Sequence, residues 1–428
     1  MKIDNLRTES YRDRIRAIAT VTWEDRDRPS QDIYFETTNE FASDIWCNPN
    51  AFLAACVIPA MRYGERRITL DAPICPALKD GLTNIMHCLV HWHKGDRRVI
   101  PIEAPLASDT DYVMAKPRAG CFFSGGIDSL AMVRNNRFNF APEHSRSIKD
   151  GIFVYGILNG EDEEEPSFQY VLDAVSSIAN DAEINLIPIY TNAYAHIRDL
   201  DPDFLFWKLE FQGSFLAAVA HSLSRRLTTV SMASTYDLAH LAPWGSHPLI
   251  DHHFSSSNLH IRHEDAALSR LAKTKLVAQW DVALRHLRVC NEKDSYREGN
   301  YNCGKCEKCV RTMTALLGLG LLEEVTTFKE KDVSKKLLIK TAHFNDTFGE
   351  SSYRELIPLL AQIKRYDLVD GINIILNRYH EKDLKGVIKR IDRIFLKGRL
   401  FNLSKKLIYS VRKEIELGVA KRKLERVV

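Results

Sequence analysis

Residues Cys121 to Ser129 read CFFSGGIDS, a paired-glycine turn between a short apolar run and a helix-like stretch. Gly125 and Gly126 allow a tight turn, so that backbone N–H groups and the positive end of the helix face an anion. Ser124 and Ser129 add hydroxyl donors on either side of the turn. A Walker G-x-x-x-x-G-K-[ST] sequence occurs nowhere in the chain, which excludes an ordinary P-loop NTPase. We predict a phosphate-binding strand–turn–helix unit; the alternative is a helix start capped by Ser124.

Alternating apolar and helical segments surround this turn. Strands are predicted at 119–123, 151–158, 184–190 and 228–233, and helices from 124, at 166–180 and at 203–224. Such alternation indicates right-handed βαβ units and a doubly wound parallel α/β sheet, here of five strands. Ligands of these sheets bind beyond the carboxyl ends of the strands, where the strand order reverses. We therefore expect the turn, residues 156–158 and the segment from Ser234 to Asp237 to converge.

Four of the nine cysteines lie close together in sequence, at Cys290, Cys303, Cys306 and Cys309. Two overlapping C-x-x-C steps bring three thiolates to one ion, and Cys290 completes a tetrahedral four-sulfur zinc site. Lys305, Lys308 and Arg311 would offset the thiolate charge. An iron–sulfur cluster and disulfides are the alternatives, the latter disfavoured by the short spacing.

The 428 residues divide into three predicted regions. An N-terminal α+β extension covers residues 1–115, the phosphate-binding domain with the cysteine element covers 116–320, and a basic helical extension covers 321–428. Residues 382–428 contain 15 Lys/Arg against 5 Asp/Glu, with apolar residues at helical intervals. Such helices contact RNA, contact an acidic protein, or present a merely solvated face. The acidic run 161–165 has two interpretations, a magnesium-binding segment or a solvated loop.

The chain contains no apolar run long enough for a membrane span and no signal-peptide pattern at its N-terminus. We expect a cytoplasmic protein with no membrane contact. That reducing compartment favours metal-bound thiolates over disulfides.

At the SGGIDS residues the chain resembles the PP-loop, or N-type ATP pyrophosphatase, superfamily. Together with Cys290, Cys303, Cys306, Cys309 and Arg311, it is similar to the 7-cyano-7-deazaguanine synthase family over residues 118–320. The resemblance implies an AMP-forming carbon–nitrogen ligase that adenylates a carboxylate and couples it to ammonia or an amine, giving an amide or nitrile. Its cofactors would be ATP, Mg²⁺ and Zn²⁺.

The resemblance also implies roles for individual residues. Asp128, Lys273 and Ser124 would be catalytic, with Asp128 helping to hold Mg²⁺ and Lys273 contacting phosphate; a surface lysine on an amphipathic helix is the alternative for Lys273. The residues implied to bind ATP are Ser124, Gly125, Gly126, Ile127, Asp128, Ser129, Gly156, Ile157 and Leu158.

The chain departs from the synthase family in the segment that recognises the deazaguanine acid. The family's recognition sequence is missing from the corresponding residues here, which are Ser234 to Asp237 and the following stretch that includes His247. We predict that Ser234, Asp237 and His247 contact the substrate, which is a 7-deazaguanine-related acid, another small carboxylate or a partner polypeptide. The alternatives are a PP-loop enzyme that modifies tRNA, a component of an anti-phage defence system that modifies a partner protein, and a non-catalytic scaffold. A homodimer is compatible with each.

Overall fold

The computed structural model describes residues 1–95, 97–108, 116–156, 166–290, 301–344 and 346–381, with only the backbone at 166–168 and 381. Ten strands form one sheet: β1 (Lys2–Tyr11), β2 (Arg14–Thr22), β3 (Gln31–Thr38), β4 (Ile68–Leu70), β5 (Ile102–Glu103), β6 (Ala119–Phe122), β7 (Ile148–Tyr155), β8 (Asn185–Thr191), β9 (Thr229–Ala233) and β10 (His260–Glu264).

The helices of the described residues are α1 (Pro49–Arg62), α2 (Pro76–His93), α3 (Ile127–Asn139), α4 (Pro166–Asp181), α5 (Gln212–Ser222), α6 (Arg270–Val277), α7 (Asp281–Arg285), α8 (Glu307–Gly318), α9 (Lys335–Thr341), α10 (Thr347–Arg354), α11 (Ile357–Gln362) and α12 (Tyr366–Glu381). Local capping explains several starts. The Asn48 side chain caps α1 ahead of Pro49, and the Ser269 hydroxyl accepts from the Ala272 N–H at the start of α6. A π-helical turn, Trp207–Phe211, precedes α5, where a regular helix from 203 is predicted.

The sheet runs in the order β10-β9-β6-β7-β8-β3-β2-β1-β4-β5. Its first five strands pair in parallel, and the order reverses between β6 and β9, because β6 lies between its successor β7 and the later strand β9. Beyond β8 the sheet continues through β3, which pairs antiparallel with β8 at Phe35 and Thr191. The prediction of a five-stranded sheet is therefore wrong in extent: the parallel block belongs to a sheet twice as wide.

Two apolar cores cover the sheet. One joins α1, α2 and α5 to the strands, including strands from both ends of the sheet, and the other joins α3, α4, α8 and the later helices. The α/β class with helices and a mostly parallel central block is confirmed. The N-terminal region shares both the sheet and the first core with the parallel block, while residues 109–115, at the predicted boundary, lie outside the described part; the three-region division stays a prediction.

A buried carboxylate on β7, that of Asp150, pairs with two arginines from other parts of the parallel block. Asp150 on β7 has no exposed surface, and the guanidinium groups of Arg118 and Arg226 donate to its Oδ1 at 2.8 and 2.9 Å. Burial alone would raise the pKa of Asp150, but these two arginines outweigh it and hold the pKa below its ordinary value. Arg226 also pairs with Asp44 at 2.8 Å, which links the N-terminal region to β7.

Between residues 307 and 381 the described part of the chain forms helices α8 to α12, joined by turns and loops. The basic segment 382–428 lies outside the described residues, so its helices stay a prediction. Among the helices that the structure describes, none has both the length and the apolar character that a membrane crossing requires.

Candidate functional site

A cleft of about 220 Å³ opens where the parallel strand order reverses. Its floor is the turn after β6, one side is the segment after β9 with the start of α6, and the other side is the segment at 288–290 with the start of α8. Phe348 from α10 closes a further wall. Ligands of open α/β sheets bind at this position, so the cleft is the first candidate for a functional site.

The turn after β6 has the conformation that the paired glycines predict. Gly125 has a φ of +74°, a left-handed value that disfavours other residues, and a Cβ there would lie 3.0 Å from Val175. Gly126 caps α3, whose first turn therefore points into the cleft. The Ser129 hydroxyl donates to the Gly126 carbonyl at 3.1 Å, and it lies 3.3 Å from the Ser124 hydroxyl. Ser124 to Ser129 thus form a polar cradle at a helix N-terminus.

Asp128 lies at the centre of an ion-pair group. Its Oδ1 is 2.9 Å from Arg270 Nη1 and 3.6 Å from Lys273 Nζ, and Arg270 Nη2 donates to Oδ2 at 3.1 Å. Lys273 is 1% exposed and donates to the Ser234 carbonyl at 2.5 Å. Burial lowers the pKa of Lys273, an effect that the nearby Asp128 opposes. Of these two cations, Arg270 lines the cleft and Lys273 is buried beside Asp128.

The described residues that line the cleft carry more positive than negative charge. Arg270, Arg288, Lys308 and Arg311 are the cations among them, and Asp128 is the one carboxylate. Arg288 donates to the Ser124 carbonyl at 3.4 Å, which fixes it beside the glycine turn. Cations that converge on a helix N-terminus favour an anion with several negative charges, such as a di- or triphosphate.

The Phe348 ring packs against two of these cations, Arg270 and Arg311. The guanidinium carbons of Arg270 and Arg311 lie 5.6 and 5.9 Å from its ring centroid, and Tyr236 packs edge-on against it at 4.8 Å. Glu307 also pairs with Arg311 at 3.2 Å. These contacts keep Arg270 and Arg311 facing the cleft from opposite sides.

The four clustered cysteines meet in space. Their sulfur atoms lie within 4.8 Å of one another, with Cys290 to Cys306 and Cys303 to Cys309 both at 3.8 Å. A tetrahedral zinc site with Zn–S bonds of about 2.3 Å has sulfur–sulfur edges of about 3.8 Å. The hydrogen-bonded thiol of Cys290 raises the pKa of Cys306, and a bound cation would offset this effect by favouring the thiolate. The cluster could hold a metal such as zinc, and no disulfide links these cysteines.

Local backbone geometry prepares the cysteine group for a metal. Gly304, with a φ of +68°, turns the chain so that the N–H groups of Lys305 and Cys306 point at the Cys303 sulfur, at 3.4 and 3.2 Å. N–H donors of this kind stabilise a metal-bound thiolate. Cys306 then caps α8, which carries Lys308 and Arg311 into the cleft.

Asn302 links the two segments that carry the cysteines, one ending at Cys290 and the other holding Cys303, Cys306 and Cys309. Its buried amide oxygen accepts from the N–H groups of Val289 and Cys290 at 2.9 and 3.2 Å. Its amide nitrogen donates to the Leu287 carbonyl at 2.8 Å and to the Thr327 hydroxyl at 3.0 Å. Asn302 immediately precedes Cys303 and binds the N–H group of Cys290, so it holds these two cysteines at a fixed separation.

The remaining predicted site residues lie outside the glycine turn and the cysteine group. Gly156 ends β7 with a φ of +112°, and a Cβ there would lie 1.9 Å from the Thr191 carbonyl oxygen, so only glycine fits. Ile157, Leu158 and the acidic run 161–165 lie outside the described residues. The Ser234 hydroxyl donates to the Tyr236 carbonyl at 2.5 Å, and Asp237 caps a short helical turn and pairs with His240 at 2.6 Å.

His247 is buried against Trp92, with 5.0 Å between the ring centroids, and does not line the cleft. Its Nδ1 accepts from the Leu249 N–H at 3.0 Å, and burial lowers its pKa. These contacts give Ser234, Asp237 and His247 structural partners, and their substrate roles stay predictions.

The sequence did not predict a role in the cleft for Arg270, Arg288 and Phe348, or a role beside the cysteine group for Asn302. Arg270 stands in the same RLAKTK segment as Lys273, one helical turn earlier, so its position was within reach of the sequence pattern. Arg288 and Asn302 adjoin the cysteine pattern, but nothing in the sequence marks Phe348, more than 200 residues after the glycine turn.

Fold and site together define an α/β protein with a cationic cleft at the strand reversal and a four-cysteine group beside it. Comparison with known protein families gave no match, and neither did comparison with curated proteins or with solved structures.

Proposed function

We propose that the protein is an AMP-forming ligase of the PP-loop ATP pyrophosphatase type, related to 7-cyano-7-deazaguanine synthase. The observation that carries the proposal is the convergence of Arg270, Arg288, Lys308 and Arg311 on the SGGIDS turn at the strand reversal. This arrangement supplies backbone N–H groups, hydroxyls and cations to one anion. It suits the outer two phosphates of ATP, which leave as pyrophosphate when AMP passes to an acceptor.

In this proposal the chain stabilises the charge that develops on the departing pyrophosphate. Ser124, Ser129 and the turn N–H groups would bind its oxygens, and Arg270 and Arg311 would neutralise them from either side. Asp128, which lines the cleft, would help to hold magnesium there, and the ion would supply positive charge to the phosphates. Arg270 would exchange part of its contact with Asp128 for the phosphate, because both compete for the same guanidinium.

Zinc in the cysteine group would be structural. Four sulfur ligands leave no open coordination position, which is the pattern of structural rather than catalytic sites. Its contribution is positional: it would fix the start of α8, and with it Lys308 and Arg311, against the segment at 288–290.

Adenylation suits a carboxylate acceptor, because AMP is a better leaving group than hydroxide. The amine or ammonia that attacks next would give an amide. Phe348 belongs to the C-terminal region that the short synthase lacks, and it forms part of the cleft wall. This supports an acceptor other than deazaguanine acid, either a small carboxylate or a partner polypeptide.

The test is release of AMP from ATP with magnesium and a panel of carboxylates, deazaguanine acid among them, followed by mass spectrometry. Asp128→Ala should lower AMP release at least about 100-fold, because the described lining of the cleft loses its one carboxylate and Arg270 and Lys273 lose their ion-pair partner. Asp80→Ala, an exposed aspartate on α2, is the matched control and should release AMP at the wild-type rate. Unchanged AMP release by Asp128→Ala would remove the turn from the reaction.

A further inference from the structure

Lys273 is a buried charge beside the cleft for which the reaction proposed above gives no role. Its side chain is 1% exposed, and it is not among the described residues that line the cleft. It therefore lies neither on the outer surface of α6 nor in the wall that a phosphate would touch. A buried ammonium group is costly unless it is paired and hydrogen-bonded, so its partners indicate what it does.

Two contacts hold the Lys273 ammonium in place. Its Nζ donates to the Ser234 carbonyl at 2.5 Å and lies 3.6 Å from Asp128 Oδ1. Ser234 is buried, and its N–H donates to the Glu264 carbonyl at 2.9 Å, so it is a fixed point at the end of β9. Lys273 therefore ties the carboxylate of Asp128, at the start of α3, to the end of the strand beside β6.

Asp128 has a second cationic partner, Arg270, which is placed differently. Arg270 lines the cleft, and its guanidinium group contacts both carboxylate oxygens of Asp128, at 2.9 and 3.1 Å. An anion in the cleft would compete with Asp128 for this guanidinium, because both bind the same N–H donors. Of the two cations, Lys273 is the one that would remain beside Asp128 when Arg270 turns to a phosphate.

The charges around Lys273 agree with such an exchange. Burial lowers the pKa of Lys273, Asp128 raises it, Arg270 lowers it, and Asp265 raises it. Movement of Arg270 towards a phosphate would therefore relieve a repulsion on Lys273. The ammonium form of Lys273, and its pairing with Asp128, would be favoured at the moment when Asp128 loses its other partner.

We propose that Lys273 is a positioning residue that acts through Asp128 and makes no contact with phosphate. It stays paired with the Asp128 carboxylate while Arg270 moves to the phosphate, which keeps Asp128 charged and in place. Without Lys273, Asp128 would hold Arg270 more tightly, and the phosphate would bind less well. The inference rests on the proposed function, and it gives Lys273 a different role from the phosphate contact that the family resemblance implies.

The test is a double-mutant cycle on the binding of inorganic pyrophosphate, followed by calorimetry with magnesium removed. Lys273→Met keeps the length of the side chain but not its charge, and it should weaken binding about tenfold because Arg270 then stays on Asp128. In the Asp128→Asn background the same substitution should change the affinity no more than about twofold, because the carboxylate through which Lys273 acts is absent. Lys275→Met, exposed on the same helix, is the control and should have no effect in either background.

A tenfold loss that persists in the Asp128→Asn background would mean that Lys273 acts on the phosphate itself, and it would overturn the proposal. Equal affinities of the wild type and Lys273→Met would also overturn it. Near-ultraviolet circular dichroism checks that Lys273→Met folds. If it does not, Lys273→Gln replaces it, because the glutamine amide can still donate to the Ser234 carbonyl while the charge is lost.

A crystal structure of the wild-type protein with pyrophosphate gives a second result that depends on no variant. The Arg270 guanidinium should contact a phosphate oxygen, and Lys273 Nζ should remain within about 4 Å of the Asp128 carboxylate. A hydrogen bond from Nζ to the phosphate would contradict the proposal. A wild-type protein that binds no pyrophosphate would instead refute the proposed function on which the inference rests, so the two failures are distinct.

Discussion

The most informative single substitution for the four-cysteine group is Asn302→Ala. The Asn302 side chain accepts from the N–H groups of Val289 and Cys290 and donates to the Leu287 carbonyl and the Thr327 hydroxyl. Alanine removes these four hydrogen bonds, and a longer one to the Thr327 carbonyl at 3.4 Å, and adds no competing contact. The Leu287 carbonyl keeps the Thr327 hydroxyl as a donor at 2.8 Å, so the main loss falls on the two N–H groups.

The size of the effect follows from those two donors. Removing the acceptor of a buried N–H group costs about 1 to 3 kcal/mol, so two such groups give a loss of about 4 kcal/mol in the free energy of unfolding. The segment that ends at Cys290 also loses its hydrogen-bonded link to the segment of Cys303. Changes in groups that position metal ligands weaken metal binding about 10- to 100-fold.

Two assays check this prediction. Urea unfolding of the zinc-loaded protein should give the loss of stability, and competition with a coloured chelator should give the loss of zinc affinity. Asn84→Ala, an exposed asparagine on α2, is the control and should change stability by no more than about 0.5 kcal/mol. If Asn302→Ala unfolds within about 1 kcal/mol of the wild type and holds zinc equally well, the amide does not organise the site.

Two further substitutions test the cleft and the buried ion pair. Arg270→Ala should weaken pyrophosphate binding at least about tenfold by calorimetry, whereas Lys275→Ala, exposed on the same helix, should not; equal affinities would place the phosphate elsewhere. The lowered pKa of Asp150 means that the unfolded chain binds its proton more readily. The stabilisation is therefore present above the ordinary aspartate pKa of about 4 and is lost as pH falls through the lower folded-state value. Asp150→Asn should flatten the decline in unfolding free energy between about pH 5 and pH 2, and an unchanged slope would contradict the assignment.

Local signals in the sequence predicted the parts of the site that depend on nearby residues. The conformation of Gly125 follows from a tight strand-to-helix turn, and the convergence of the four cysteines follows from C-x-x-C spacing. Alternation of apolar runs and helices likewise predicted the parallel block. The first two rest on residues that are close in sequence, and the third rests on local helix and strand patterns, although β6 pairs with the distant strand β9.

The parts that the sequence did not predict depend on long-range contacts. The sheet doubles in width because β3 pairs with β8, more than 150 residues later, and the Thr37 hydroxyl bonds to the Pro188 carbonyl at 2.8 Å across that join. Arg270 and Lys273 share one side of α6, and only packing depth decides that the lysine is buried and the arginine lines the cleft.

The bond of ATP that breaks tests the central claim most directly. Phosphorus-31 NMR of the wild-type protein incubated with ATP, magnesium and an accepted carboxylate separates scission between the α and β phosphates from scission between β and γ. Equal amounts of AMP and pyrophosphate are predicted, with at least about 100-fold less of each from Asp128→Ala. Formation of ADP and inorganic phosphate would contradict a cleft built to release pyrophosphate.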